Sequence, residues 1–70
     1  KSLARTDRVL AEARQVATGE TQSEILGQAE IRQQAARAAL ADSDLSLAMA
    51  QTRVAARMAR RVLSMSADAR

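Results

Sequence analysis

The chain contains no cysteine, histidine, proline, phenylalanine, tyrosine or tryptophan, and only two glycines. Each absence excludes something. Without His or Cys the general base poised near neutral pH, the thiolate nucleophile and soft metal ligation are missing. Without Cys there is no disulfide staple, and nothing marks a redox compartment. The two glycines, Gly19 and Gly27, lie in no phosphate-cradling pattern. The closest carboxylates, Asp42 and Asp44, are two positions apart, so on a helix they diverge and in a loop they read as caps. No catalytic, cofactor-binding or metal-ligating residue is assigned, no cofactor is implied, and a non-enzymatic function is expected. No apolar run approaches the about 18 residues of a transmembrane helix, and no signal-peptide pattern is visible. The chain opens at Lys1 rather than Met, as a mature product or an excised fragment would.

What is present is Ala, Leu, Val, Ile and Met, with 47% of the 70 residues hydrophobic. Such a palette packs helix closely on helix and predicts an all-α fold, either an antiparallel helical hairpin or a three-helix bundle with Ala-rich, coiled-coil-like packing. A chain of this size buries only about 60% of its unfolded surface. Aromatic side chains normally supply the largest single burials. Their absence points to self-association or docking into a larger helical assembly.

The hydrophobic rhythm predicts a single helical module with helices over about 2–18, 21–41 and 44–66, the last two either separate or continuous. In the first, Leu3, Thr6, Leu10, Ala13 and Ala17 form a heptad seam. Gly19 is expected to close that helix in a left-handed conformation, and Thr21 with Glu24 to form a capping box, giving a tight hairpin turn. The second helix carries Ile25, Leu26, Ala29, Ala36, Ala39 and Leu40 on one face. Ala41-Asp42-Ser43-Asp44 favours a break, with Asp42 or Ser43 as the cap.

The third segment has an unusually wide apolar arc. Leu47, Val54, Met58 and Met65 line one flank, Leu45, Met49 and Leu63 the other, and Ala48, Ala55 and Ala59 lie between. That arc predicts contact with two neighbours, and Leu45, Leu47, Met49, Val54, Met58, Val62 and Met65 are the candidate partner-packing residues. The three methionines are read as gap-filling core.

Charge is uneven. Residues 1–44 hold six basic and seven acidic side chains, whereas residues 45–70 hold five basic and one acidic. Arg53, Arg57, Arg60 and Arg61 fall on one helical face and make a basic ridge. Its first reading is a solvated face whose arginine stems cover apolar flanks; its second is a contact with nucleic acid or acidic lipid. No aromatic residue interleaves the ridge to stack bases. A helix-turn-helix can be started at Thr21–Ile25, but its turn position holds Glu30 rather than Gly and no separate recognition helix follows.

Three stretches carry a resemblance. Val16–Glu24, with its Gly followed by Ser and an acidic residue, resembles a hairpin tip. Ala35–Ala41 with Leu45 resembles the Ala/Leu heptads of a returning helix, and Thr52–Val62 resembles a hairpin exit. Together they are similar to the α-helical hairpin of periplasmic adaptor, or membrane-fusion, proteins of tripartite efflux pumps and type I secretion systems. The resemblance implies a helical part of a bacterial envelope transport assembly, placed in the periplasm. Without it, the expected compartment is cytoplasmic. The chain departs from that family at Arg57 and Arg60, where the family has Pro and Gly, so helix rather than strand is expected to follow.

Overall fold

The computed structural model describes residues 2–68, which form α1 (Ser2–Val16), α2 (Glu20–Ala41) and α3 (Leu45–Asp68). Residues 17–19 and 42–44 are the two connections, and they are short enough to force antiparallel neighbours. The result is an all-α three-helix bundle, 41 × 19 × 15 Å, in which α1 and α3 run parallel and α2 runs against both. α3 packs on both other helices, as its wide apolar arc requires. It continues as helix through Arg57 and Arg60 to Asp68.

The first connection differs from the expected turn. Gly19 is extended, with φ −99° and ψ 163°, and it is the N-cap of α2 rather than a left-handed closure of α1. The reason lies in Gln22, whose Oε1 accepts the backbone N–H of Thr18 at 2.8 Å and of Gly19 at 3.1 Å. That reach-back does what the expected Thr21–Glu24 box would have done, two residues earlier in the chain. Thr21 and Glu24 sit inside the first turns of α2 and are exposed. The end of α1 is closed from elsewhere, since the Ser66 hydroxyl of α3 donates to the Val16 carbonyl at 3.0 Å.

The second connection is a true break, and its cap is Asp44 rather than Asp42 or Ser43. The Leu47 N–H donates to Asp44 Oδ1 at 3.1 Å, which satisfies one of the free amides at the start of α3. At the end of α2, Asp44 N–H donates to the Ala39 carbonyl at 2.8 Å and Ser43 N–H to the Leu40 carbonyl at 3.0 Å. This pair of bonds is the Schellman pattern, whose penultimate residue must be left-handed. Ser43 fills that position with φ 63°, a conformation that usually falls to glycine.

The core is small-residue packing. Leu10 and Ala13 of α1, Leu26 and Ala29 of α2, and Ala59 and Val62 of α3 form one buried cluster toward the α1–α2 connection, with Val9, Ala17, Ile25, Met58 and Leu63 packed against it. Ala36, Ala39, Ala48, Ala55 and Ala56 extend the buried interior toward the other end. Two ion pairs tie α1 to α2 along the rim, Arg14 to Glu30 and Arg37 to Asp7. All four side chains are more than a third exposed, so each pair contributes at most about 1 kcal/mol.

The two connections respond oppositely to glycine. Ser43→Gly relieves a left-handed serine and should stabilise by about 0.5–1 kcal/mol, the relief exceeding the added freedom of the unfolded chain. Gly19→Ser places a cap hydroxyl on an extended residue whose new Cβ meets nothing nearer than 3.8 Å, and should cost nothing or gain a few tenths of a kcal/mol. Thermal unfolding followed by circular dichroism measures both, and a fall in the midpoint for Ser43→Gly contradicts the assignment.

Candidate functional site

Midway along the bundle the apolar interior is interrupted by Thr6, Gln33 and Thr52, one buried polar residue from each helix. Gln33 spends both amide hydrogens on α1, donating to the Leu3 carbonyl at 3.0 Å and to Asp7 Oδ1 at 2.8 Å. A carboxylate only accepts, so Asp7 fixes which way the amide points and turns Gln33 Oε1 toward α3. There the Thr52 hydroxyl lies 2.8 Å from Oε1 and 2.9 Å from the Thr6 hydroxyl. Each hydroxyl carries one hydrogen. Thr52 donates to Gln33, and the Thr6 hydroxyl completes the chain toward Thr52, whose carbonyl also lies 3.4 Å from it. Among the described residues no buried side-chain nitrogen or oxygen lacks a partner.

Above this layer an open cleft of about 370 Å³ runs between α1 and α3. Thr6, Thr52, Met49 and Ala56 line it together with Arg5, Arg53, Arg57 and Arg60. Positions 49, 53, 56, 57 and 60 recur at helical spacing, so one face of α3 forms one wall and α1 contributes Arg5 from the other side. Three of the four ridge arginines therefore meet in the cleft, and Arg61 is not among its lining residues. All four cleft arginines are exposed, and none forms an ion pair among the described residues. The sequence pattern missed Arg5, because that residue belongs to a different periodic segment and only the bundle places it opposite α3.

The candidate partner-packing residues are separated by the fold. Val62 is fully buried against α1 and α2 and is core rather than docking surface. Met49, Val54, Met58 and Met65 are half-buried, because two neighbours cover the arc of α3 instead of one. Leu45 at 64% and Leu47 at 45% exposure remain open, and Leu40 of α2, expected on the packed face, joins them at 46%. These leucines share one end of the molecule. Thr6 is four residues into α1, whereas its partners lie seven residues into α3 and eight before the end of α2. At 1.5 Å per residue, α2 and α3 extend about one helical turn beyond Ser2, the first described residue of α1.

No three or more metal-ligating side chains are gathered among the described residues, and no helix is long and apolar enough to cross a membrane. Comparison with protein-family models, with curated proteins and with solved structures gave no match. The features that distinguish the molecule are the cleft, the leucine end and the polar layer between them.

Removing a single member of the polar layer exposes its cost. Thr52→Val keeps the shape of the side chain and strands Gln33 Oε1 in the interior, so it should destabilise by about 1–3 kcal/mol. Chemical denaturation checks this, and combining it with Thr6→Val should cost less than the sum of the two single changes.

Proposed function

We propose that the chain is a non-enzymatic helical protein–protein interaction and assembly module that docks on another helical chain through the leucine end of α2 and α3. The observation that carries this reading is the exposed leucine cluster at the α2–α3 connection. Leu40, Leu45 and Leu47 are three of the four large hydrophobic residues exposed among the described residues, and they gather around one connection. Their removal from water is the main gain available to any contact at that end, at roughly 25 cal/mol per Å² of apolar surface. A second copy of the chain is the simplest occupant, since it supplies the same apolar turn and buries it reciprocally.

A narrower form of the proposal places the module in a bacterial envelope efflux or secretion assembly. It is supported by the adaptor-like stretches Val16–Glu24, Ala35–Ala41 and Thr52–Val62 alone. The alternative reading is a small basic bundle that binds nucleic acid or serves a regulatory role through Arg53, Arg57, Arg60 and Arg61. No arginine of the ridge forms an ion pair among the described residues, which favours an anionic ligand, and the cleft setting of three of its members suits a smaller one than a duplex.

Self-association tests the proposal. Sedimentation over about a hundredfold range of concentration should show reversible oligomerisation with a melting temperature that rises with concentration. Leu45→Ser with Leu47→Ser should abolish it and leave the helical signal intact. Strictly monomeric behaviour of the unmodified chain, with full helicity, contradicts docking onto a second copy.

A further inference from the structure

We propose that the cleft between α1 and α3 binds a small polyanion carrying two or more linked phosphoryl groups, held by Arg5, Arg53, Arg57 and Arg60. The proposal concerns a different surface from the leucine end and does not depend on it.

The charge arrangement comes first. Four guanidiniums line one cleft, no carboxylate is among its lining residues, and the two ion pairs of the described residues use Arg14 and Arg37 instead. Like charges gathered without counter-charge repel one another, so the folded chain gains whenever an anion enters. Arginine suits such an anion through its planar fork, which pairs with phosphoryl oxygens two at a time.

Shape then selects the ligand. The volume of about 370 Å³ lies in the range of small-molecule sites rather than of an extended polymer track. Arg5 of α1 and Arg53, Arg57 and Arg60 of α3 line the cleft from two helices rather than from one, a setting that suits a compact anion better than a duplex backbone. With no aromatic residue in the chain, nothing stacks on a base. Recognition is therefore through phosphoryl oxygens alone. The Thr6 and Thr52 hydroxyls beneath are already committed to each other and to Gln33, so they hold the walls in place and leave ligation to the arginines. The linked phosphoryl groups can come from inorganic polyphosphate or from the tail of a nucleotide.

Isothermal titration of the whole chain with sodium tripolyphosphate at low salt should show saturable binding that weakens as salt is raised. Arg5→Gln and Arg57→Gln should each weaken it by about tenfold or more, the loss expected for one charge-assisted contact. Arg61→Gln removes the same charge from outside the lining and should change affinity by less than about threefold. Circular dichroism verifies that each exposed substitution leaves the fold intact. Equal affinity for tripolyphosphate and for a nucleoside triphosphate identifies the phosphate chain as the whole ligand; tighter binding of the nucleotide identifies the tail of a nucleotide as the source. Absence of binding to tripolyphosphate, equal losses for Arg5→Gln and Arg61→Gln, or tighter binding to a mixed-sequence duplex would each overturn the proposal.

Discussion

The alignment of the three helices depends on one chain of hydrogen bonds, from Leu3 and Asp7 through the Gln33 amide to the Thr52 and Thr6 hydroxyls. Each bond contributes only about 0.5–1.5 kcal/mol net. The consequence of misalignment is larger. Sliding any helix by one turn would bury an amide and two hydroxyls against alanine methyl groups, at a cost of about 1–3 kcal/mol for each stranded group. The alanine packing imposes a smaller one, although the cluster of Leu10, Leu26 and Val62 adds its own preference at the α1–α2 end. Ala29, Ala36, Ala55 and Ala59 are nearly interchangeable along their helices, so a core made of them tolerates several alignments. A buried polar group that sets register is a known device of coiled coils, and here one residue from each of the three helices supplies it.

Register in turn produces the surfaces. With Thr6 held level with Thr52, Arg5 comes opposite Arg53 and Arg57, and the cleft exists. Leu40, Leu45 and Leu47 lie exposed at the α2–α3 connection, on the far side of the same layer from the apolar cluster. Both the proposed polyanion cleft and the proposed docking end are thus placed relative to the polar layer. The apolar cluster around Leu10, Leu26 and Val62 sits at the opposite end, so stability and the docking surface are spatially separated.

Much of this was legible in the residues. The seam of Leu3, Thr6, Leu10, Ala13 and Ala17 faces inward, and the wide arc of α3 does touch two neighbours. The break after Ala41 was also visible as three consecutive poor helix formers. Other features depended on local competition between groups of similar strength. Gly19 offered a left-handed turn and Thr21 a cap, but Gln22 reaches back to two amides at once and moved the N-cap from Thr21 to Gly19. Asp44 took the cap expected of Asp42 or Ser43, because it directly precedes Leu45, the first residue of α3, and its carboxylate reaches the Leu47 N–H. Long-range pairing was the least legible. Gln33 keeps helical spacing with Ala29 and Ala36, so its inward position was readable, but its meeting with Thr6 and Thr52 belongs to the assembled bundle alone. The pairing of Arg5 with the ridge follows from the same meeting.

Replacing the whole polar layer at once, Thr6→Val with Gln33→Leu and Thr52→Val, tests whether it sets alignment or merely adds stability. Removing every partner together leaves few stranded groups, so the variant should remain helical and lose little stability. The decisive measurement is the amide nuclear magnetic resonance spectrum of this variant beside that of the unmodified chain. If the layer fixes register, the unmodified chain gives one sharp set of resonances and the variant gives duplicated or exchange-broadened ones, as its helices sample more than one alignment. A single sharp set in the variant, with the same inter-helix contacts as the unmodified chain, would show that alanine packing alone selects the alignment and would contradict the account.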